Sequence, residues 1–243
     1  MTDDDEPVGH VLARREVLAL LGASGLMGLT DWRGSAARAA EGVPRCVARP
    51  RQTEGPYFVD AQQNRSDIRS DPSDGSVKPG LPLDLTFAVS RLAGASCVPL
   101  AGAVVDLWQC DHFGVYSDVR DPGFDTVGRK FLRGYQVTGG DGQARFTTIY
   151  PGWYQGRAVH LHFKIRSAPA EGTGFEFISQ LYFDDALTDQ VHAQAPYAAK
   201  GQRTRRNAAD RIFSRGGSEL MLDLVGDPAA GYRARFEIAL DTA

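Results

Sequence analysis

Three cysteines in 243 residues are too few for a disulfide scaffold. An excess of one charge sign is also missing. The 27 lysines and arginines stand against 30 aspartates and glutamates, a formal net charge of −3, so no global field points to nucleic acid or an anionic lipid surface. No apolar run reaches the ~20 residues that a membrane-spanning helix needs. Internal repeats are absent, as are linkers that would set off a second folded domain. No glycine-rich nucleotide-binding motif appears, and Gly139-Gly140-Asp141-Gly142 reads as a hairpin turn. What is present is 42% apolar and 23% charged, with 27 glycines and 13 prolines scattered along it, the composition of a turn-rich soluble protein.

Residues 1–39 read as an address. Arg14-Arg15 precedes a short apolar run from Val17 to Leu29, and Ala37-Arg38-Ala39 offers an A-x-A cleavage site. The paired arginines suggest the twin-arginine route, which predicts a protein exported to the periplasm or the medium, with no membrane anchor once the signal is removed. The alternative for this segment is a short amphipathic helix. Export bears on the cysteines, because an oxidising compartment lets two of Cys46, Cys97 and Cys110 pair. Cys46 with Cys97 is the preferred pair and a buried free Cys110 follows from it; three reduced thiols are the alternative.

Residues 40–243 read as one all-β domain, a β-sandwich with long loops and a few short helices. Leu83, Leu85, Phe87 and Val89 alternate with polar or small residues, and Tyr232, Ala234, Phe236, Ile238 and Leu240 do the same. This period of two marks half-buried strands. Further strands are expected over 102–109, 143–149, 158–166, 176–183 and 219–224, with short helices near 185–192 and 206–213. The basic group Lys200, Arg203, Arg205 and Arg206 is expected to be a solvated turn.

The chemistry starts at His160-Leu161-His162. Alternate side chains of a strand share a face, so both imidazoles point the same way from Cα atoms ~6.6 Å apart and can converge on one metal ion. Upstream lies Tyr150-Pro151-Gly152-Trp153-Tyr154, a turn that can bring Tyr154 to the same place. A phenol is a poor ligand when neutral, but a trivalent cation favours its deprotonation, and tyrosinate is a hard donor suited to Fe(III).

Five blocks occur in order: Thr53-Glu54-Gly55-Pro56-Tyr57-Phe58; Asp106-Leu107-Trp108-Gln109-Cys110-Asp111 leading to Gly114-Val115-Tyr116; Pro151-Gly152-Trp153-Tyr154; Arg157 with His160-Leu161-His162; and Ser179-Gln180-Leu181-Tyr182-Phe183. Together they resemble the intradiol ring-cleavage dioxygenases, the family of protocatechuate 3,4-dioxygenase and catechol 1,2-dioxygenase, from about Cys46 to the C-terminus. The resemblance implies a non-haem Fe(III) ion held by Tyr116, Tyr154, His160 and His162. It places Arg157 and Gln180 on the substrate side and Tyr57 in the pocket lining. It implies cleavage of a catechol by O2 between the two hydroxylated carbons, giving a cis,cis-muconate-type diacid, with Tyr154 as the ligand that the catechol displaces. The first block begins seven residues after Cys46, where cytosolic catechol dioxygenases carry a long helical segment. The chain therefore resembles a short, exported, single-domain branch. Neither the particular catechol nor the oligomeric state follows from these motifs.

Two other classes fit parts of the pattern. A zinc-dependent or cupin-like site would use His112 with His160 and His162, but Phe163-Lys164-Ile165-Arg166 supplies no carboxylate shortly after the H-x-H. On the dioxygenase reading His112 is a loop residue at the pocket rim. A non-catalytic β-sandwich binding module would need no coincidence of Tyr116, Tyr154, Arg157 and both histidines.

Overall fold

The computed structural model describes residues 46–167 and 174–242. The signal-peptide reading of residues 1–39 lies outside the described residues. Two sheets pack face to face, as expected for an all-β sandwich. In the first, β1 (Pro82–Ala93) is central. It pairs in parallel with β11 (Gly231–Leu240) along one edge. Along the other edge it pairs antiparallel with β2 (Ser96–Pro99) and β7 (Gln143–Ile149). A short β10 (Val225–Asp227) closes the far side of β11. The second sheet is antiparallel, in the order β6 (Arg133–Val137), β3 (Val104–Trp108), β8 (His160–Arg166), β9 (Glu176–Tyr182). A separate two-stranded ribbon joins β4 (Arg120–Asp121) to β5 (Phe124–Asp125).

The core lies between the sheets and is made by the alternation seen in the sequence. Leu83, Leu85, Phe87 and Val89 of β1 and Phe236 and Ile238 of β11 meet Val105, Leu107, Leu161, Phe163 and Ile165 from the other sheet. Phe87 is its hub, with ring centroids 6.0 Å from Phe146, 5.3 Å from Phe163 and 5.9 Å from Phe236. In β3 all five residues are buried, and in β8 all but Arg166. The second sheet is therefore covered on its outer face too, by loops rather than by a third layer.

Several expectations need correction. Residues 219–224 form no strand: Gly217–Leu220 is a 3-10 turn, and Met221 makes one isolated bridge to Tyr182. Around 206–213 only Asn207–Ala209 is helical, as a 3-10 turn. The turn at 139–142 forms, but it carries the chain from β6 in one sheet to β7 in the other, so it closes no hairpin. The basic group is a solvated turn only in part: Arg206 is exposed, whereas the Arg203 side chain and Lys200 are tied into the structure. Arg203 is buried and ion-paired to Asp185 and, at 2.8 Å, to Asp189, while Lys200 donates to the carbonyls of Phe113 and Trp153. The helix expected near 185–192 is present as α1 (Asp185–His192), capped by the Asp184 carboxylate, which accepts from the Leu187 amide. Cys46 is bonded to Cys97, and Cys110 is free and buried.

Replacing Phe87 by alanine opens the contact point of the two sheets and is expected to cost ~3–5 kcal/mol. Denaturant unfolding reads this directly; a loss below ~1 kcal/mol would show that the sheets do not share this cluster.

Candidate metal centre

The site grows from the period of β8. Leu161, Phe163 and Ile165 enter the core, so His160 and His162 face outward beneath the covering loops. Register places Trp108 of β3 and Gln180 of β9 on either side of His162, and Tyr182 of β9 beside His160. Trp108 stacks on the His162 ring at 5.0 Å and 10°, fixing its plane.

Two loops bring the tyrosines. The Asp111 carboxylate folds the first loop by accepting from the Phe113 and Val115 amides at 2.9 and 3.0 Å. The second loop docks on it, the Gly152 amide donating to the Asp111 carbonyl at 3.2 Å, and Lys200 clasps both through its two carbonyl contacts. Tyr116 from the first loop and Tyr154 from the second then meet edge to face, with ring centroids 5.8 Å apart.

The donor atoms converge. The His160 and His162 Nε2 atoms are 3.0 Å apart, and the Tyr154 hydroxyl lies 3.1 Å from His160 Nε2. The Tyr116 hydroxyl is fully buried without a hydrogen-bond partner. His160 Nδ1 donates to the Ala158 carbonyl at 2.7 Å, so its Nε2 presents a lone pair to the cluster. Burial, reinforced by the Arg157 cation, holds the His160 pKa well below the usual range, and burial with His160 and Arg157 does the same for His162. Both rings are therefore neutral. Burial, with Tyr154 beside it, holds the Tyr116 phenol well above the ordinary tyrosine range, and burial also raises Tyr154.

With the His160 Nε2 lone pair turned into the cluster and the Tyr116 hydroxyl buried without a partner, the cluster carries donor atoms that a bound cation would satisfy. Ligands bound to one first-row ion at ~2.1 Å stand ~3 Å apart, which the observed separations match. Two imidazoles and two phenols also form a hard, oxygen-rich donor set. The residues present therefore fit a ferric ion.

Around this cluster, the Arg157 side chain is aimed at His160, with Nη1 3.4 Å from Nε2, and its Nη2 donates to Gln180 Oε1 at 2.6 Å. Gln180 Nε2 donates to the Thr53 carbonyl at 3.0 Å. Tyr57 stacks on Tyr116 at 4.6 Å, and its hydroxyl donates to Asp121 at 2.7 Å. Desolvation and that carboxylate push the Tyr57 pKa up to about 12. All seven residues singled out in the sequence (Tyr57, Tyr116, Tyr154, Arg157, His160, His162 and Gln180) thus lie in one neighbourhood.

His112 does not join them. It is buried against Phe113 and Tyr197, with ring centroids 4.3 and 6.3 Å away, so it is not a rim residue. Among the described residues no three His, Cys, Asp or Glu side chains gather, and the zinc triad therefore does not assemble. Sequence reasoning missed three contributors. Asp210 binds Arg157 from 53 residues away. Arg133 is buried and donates to Ser117 and to the Tyr57 carbonyl. Lys164 pairs with Glu54 and sits over the Phe58 ring at 3.8 Å, holding down the segment that carries Tyr57. The alternation of β8 could have pointed to Lys164, since it shares the histidines' face.

Fold and donors together define a class: a β-sandwich with a tyrosine–histidine cluster on the outer face of one sheet. Comparison with known proteins agrees. A family model described as "Dioxygenase" matches residues 53–241. Catechol 1,2-dioxygenase 1 of Acinetobacter lwoffii is 30% identical over 188 residues, covering 67% of this chain and 55% of its own. The protocatechuate 3,4-dioxygenase beta chain of Burkholderia cepacia is 29% identical over 154 residues, covering 60% and 62%. The chain thus spans little more than half the length of these curated relatives. Among solved structures, an intradiol ring-cleavage dioxygenase from Tetranychus urticae superposes with a TM-score of 0.68 at 29% identity, covering 81% of this chain and 95% of that one. The chain belongs to the intradiol ring-cleavage dioxygenases.

Gly55 tests the cover of the site. Its φ is +73°, and a Cβ there would meet His162 Cε1 at 3.1 Å, whereas at Gly75, with φ of +75°, a Cβ meets nothing within 4 Å. Both alanine variants are expected to lose ~1–2 kcal/mol of stability from the left-handed backbone. Only Gly55→Ala should also weaken metal binding. Equal metal affinity in the two variants, measured by titration, would contradict the contact between this segment and His162.

Proposed function

We propose that this chain is a non-haem ferric dioxygenase that cleaves catechol-type rings between the two hydroxylated carbons with O2, giving cis,cis-muconate-type diacids. The observation that carries the reading is the convergence of His160 Nε2, His162 Nε2 and the Tyr154 hydroxyl at 3.0–3.1 Å beside the orphaned hydroxyl of Tyr116. A ferric ion bound there would act as a Lewis acid that binds a catechol and draws electron density from it toward reaction with O2.

The protein's own groups supply the rest. His160 and His162, kept neutral by burial, can give lone pairs without first losing protons. Burial also raises Tyr154, so its phenolate would be a strong base able to take a catechol proton. Arg157 is preorganised by its Gln180 contact and can stabilise negative charge that grows on the substrate oxygens. Tyr57, stacked on Tyr116, closes the pocket with an aromatic wall.

Purified protein should carry about one iron per chain and be red-brown from tyrosinate-to-iron charge transfer. His162→Ala should lose the iron, and Tyr116→Phe should weaken the colour and the activity, because phenylalanine has no donor oxygen. With catechol and labelled O2, both oxygen atoms should enter a muconate. A colourless protein with stoichiometric zinc, or the yellow semialdehyde of extradiol cleavage as main product, would contradict the reading.

We also propose export by the twin-arginine route. Arg14-Arg15 with its short apolar run supports it, as does the Cys46–Cys97 disulfide, a bond that belongs to an oxidising compartment. Replacing both arginines by lysine should leave the precursor in the cytoplasm; normal export of that variant would point to the general secretory route instead.

A further inference from the structure

Arg157 points its guanidinium at the donor cluster, with Nη1 3.4 Å from His160 Nε2, and its aim depends on a residue far along the chain. Asp210 follows the 3-10 turn Asn207–Ala209 and is almost fully buried, at 2% exposure. Four N–H donors converge on its carboxylate. Oδ2 accepts from Arg157 Nε at 2.9 Å and from the Ala158 amide at 2.7 Å. Oδ1 accepts from the amides of Ile212 at 2.7 Å and Phe213 at 3.0 Å. An ionised carboxylate is an acceptor at both oxygens and can satisfy all four, whereas an amide would set its own N–H groups against two of them. The donors themselves hold the Asp210 pKa low against its burial, with the Arg157 charge the foremost of them.

The guanidinium is thereby fixed on two edges. Nε is held by Asp210, and Nη2 by Gln180 Oε1 at 2.6 Å. Gln180 Oε1 also accepts from the Tyr182 hydroxyl at 3.1 Å. Two anchors in the plane of a rigid fork leave no free rotation, and what remains is Nη1, 3.4 Å from His160 Nε2. The Ala158 amide, two residues before His160 and held by the same carboxylate, ties the start of β8 to this arrangement.

We propose that Asp210 is a positioning residue for the ring-cleavage reaction: it sets the orientation of Arg157, and so its reach to the substrate, without itself binding the metal. The inference rests on the function proposed above for Arg157 but can be read apart from it. Removing Asp210 leaves the guanidinium one anchor, on Gln180, and displacing a catalytic group by ~1 Å costs about 10²-fold in rate.

The test has two arms. In metal-free protein the Arg157 Nε–H, assigned by its absence from Arg157→Lys, should appear in a proton–nitrogen correlation spectrum as a slowly exchanging signal. Asp210→Asn should speed its exchange with water by at least about tenfold, since a charged hydrogen bond is lost, while the β8 amides keep their protection. In iron-loaded enzyme, Asp210→Asn should keep wild-type iron and colour and lower kcat by about 10²-fold, with a smaller change in KM. Asp210→Glu, which keeps the charge but moves it, should fall between wild type and Asp210→Asn. Arg157→Ala alone should cost ~10²–10³-fold, and adding Asp210→Asn to it should cost no more than about twofold further. A purely structural role for Asp210 would instead give the same loss in both backgrounds, which overturns the inference. Unchanged exchange and turnover in Asp210→Asn, or loss of its fold or iron, would overturn it as well. A wild-type protein that binds iron and cleaves no catechol contradicts the proposed function, and the exchange arm still decides the role of Asp210.

Discussion

Everything near the site answers to one constraint: donor atoms of two histidines and two tyrosines are gathered in the protein, with His160 Nε2 within 3.0–3.1 Å of His162 Nε2 and the Tyr154 hydroxyl. The two imidazoles and the orphaned Tyr116 oxygen are shielded from water, Tyr154 is half-buried beside them, and burial holds the imidazole pKa values down and the phenol pKa values up. Such a cluster carries donor atoms that a bound cation would satisfy. The fold holds it by spending its most regular element there. β8 is rigid, hydrogen-bonded on both edges and buried on both faces, and its period of two delivers both histidines at one side.

The loops around β8 make the rest of the arrangement stiff. Trp108 fixes the plane of His162, the Asp111 carboxylate shapes the Tyr116 loop, and Lys200 joins that loop to the one that carries Tyr154. On the opposite side, Asp210, Arg157, Gln180 and Tyr182 form a continuous buried polar chain in which each member has a partner. The two sets of contacts meet at Ala158, whose amide donates to Asp210 and whose carbonyl accepts from His160 Nδ1.

Much of this was legible in the sequence, and the reasons are local. The alternation in 83–89 and 232–240 reports burial of one face directly, and both segments are strands. The two-residue spacing of His160 and His162 encodes a shared face. What was not legible depends on distant pairing. No local pattern announces that β1 and β11 run parallel from opposite ends of the domain. The stretch 206–213 is rich in alanine and arginine and has helical propensity, yet its backbone is bent so that Asp210 can collect its four donors. Arg203 and His112 look like solvent-facing loop residues, but ion pairs with α1 cover the Arg203 side chain and an edge-on contact with Tyr197 helps to bury His112. In each case tertiary partners overrode what the neighbouring residues favour.

The central claim is that Tyr116 and Tyr154 both bind one ferric ion with His160 and His162. Resonance Raman spectroscopy of the iron-loaded protein, excited within its visible absorption, tests it most directly. The account predicts enhanced tyrosinate ring modes from two distinct phenolates, one set vanishing in Tyr116→Phe and the other in Tyr154→Phe. An iron-loaded protein whose spectrum lacks tyrosinate modes, or keeps both sets when either tyrosine is replaced, would contradict it.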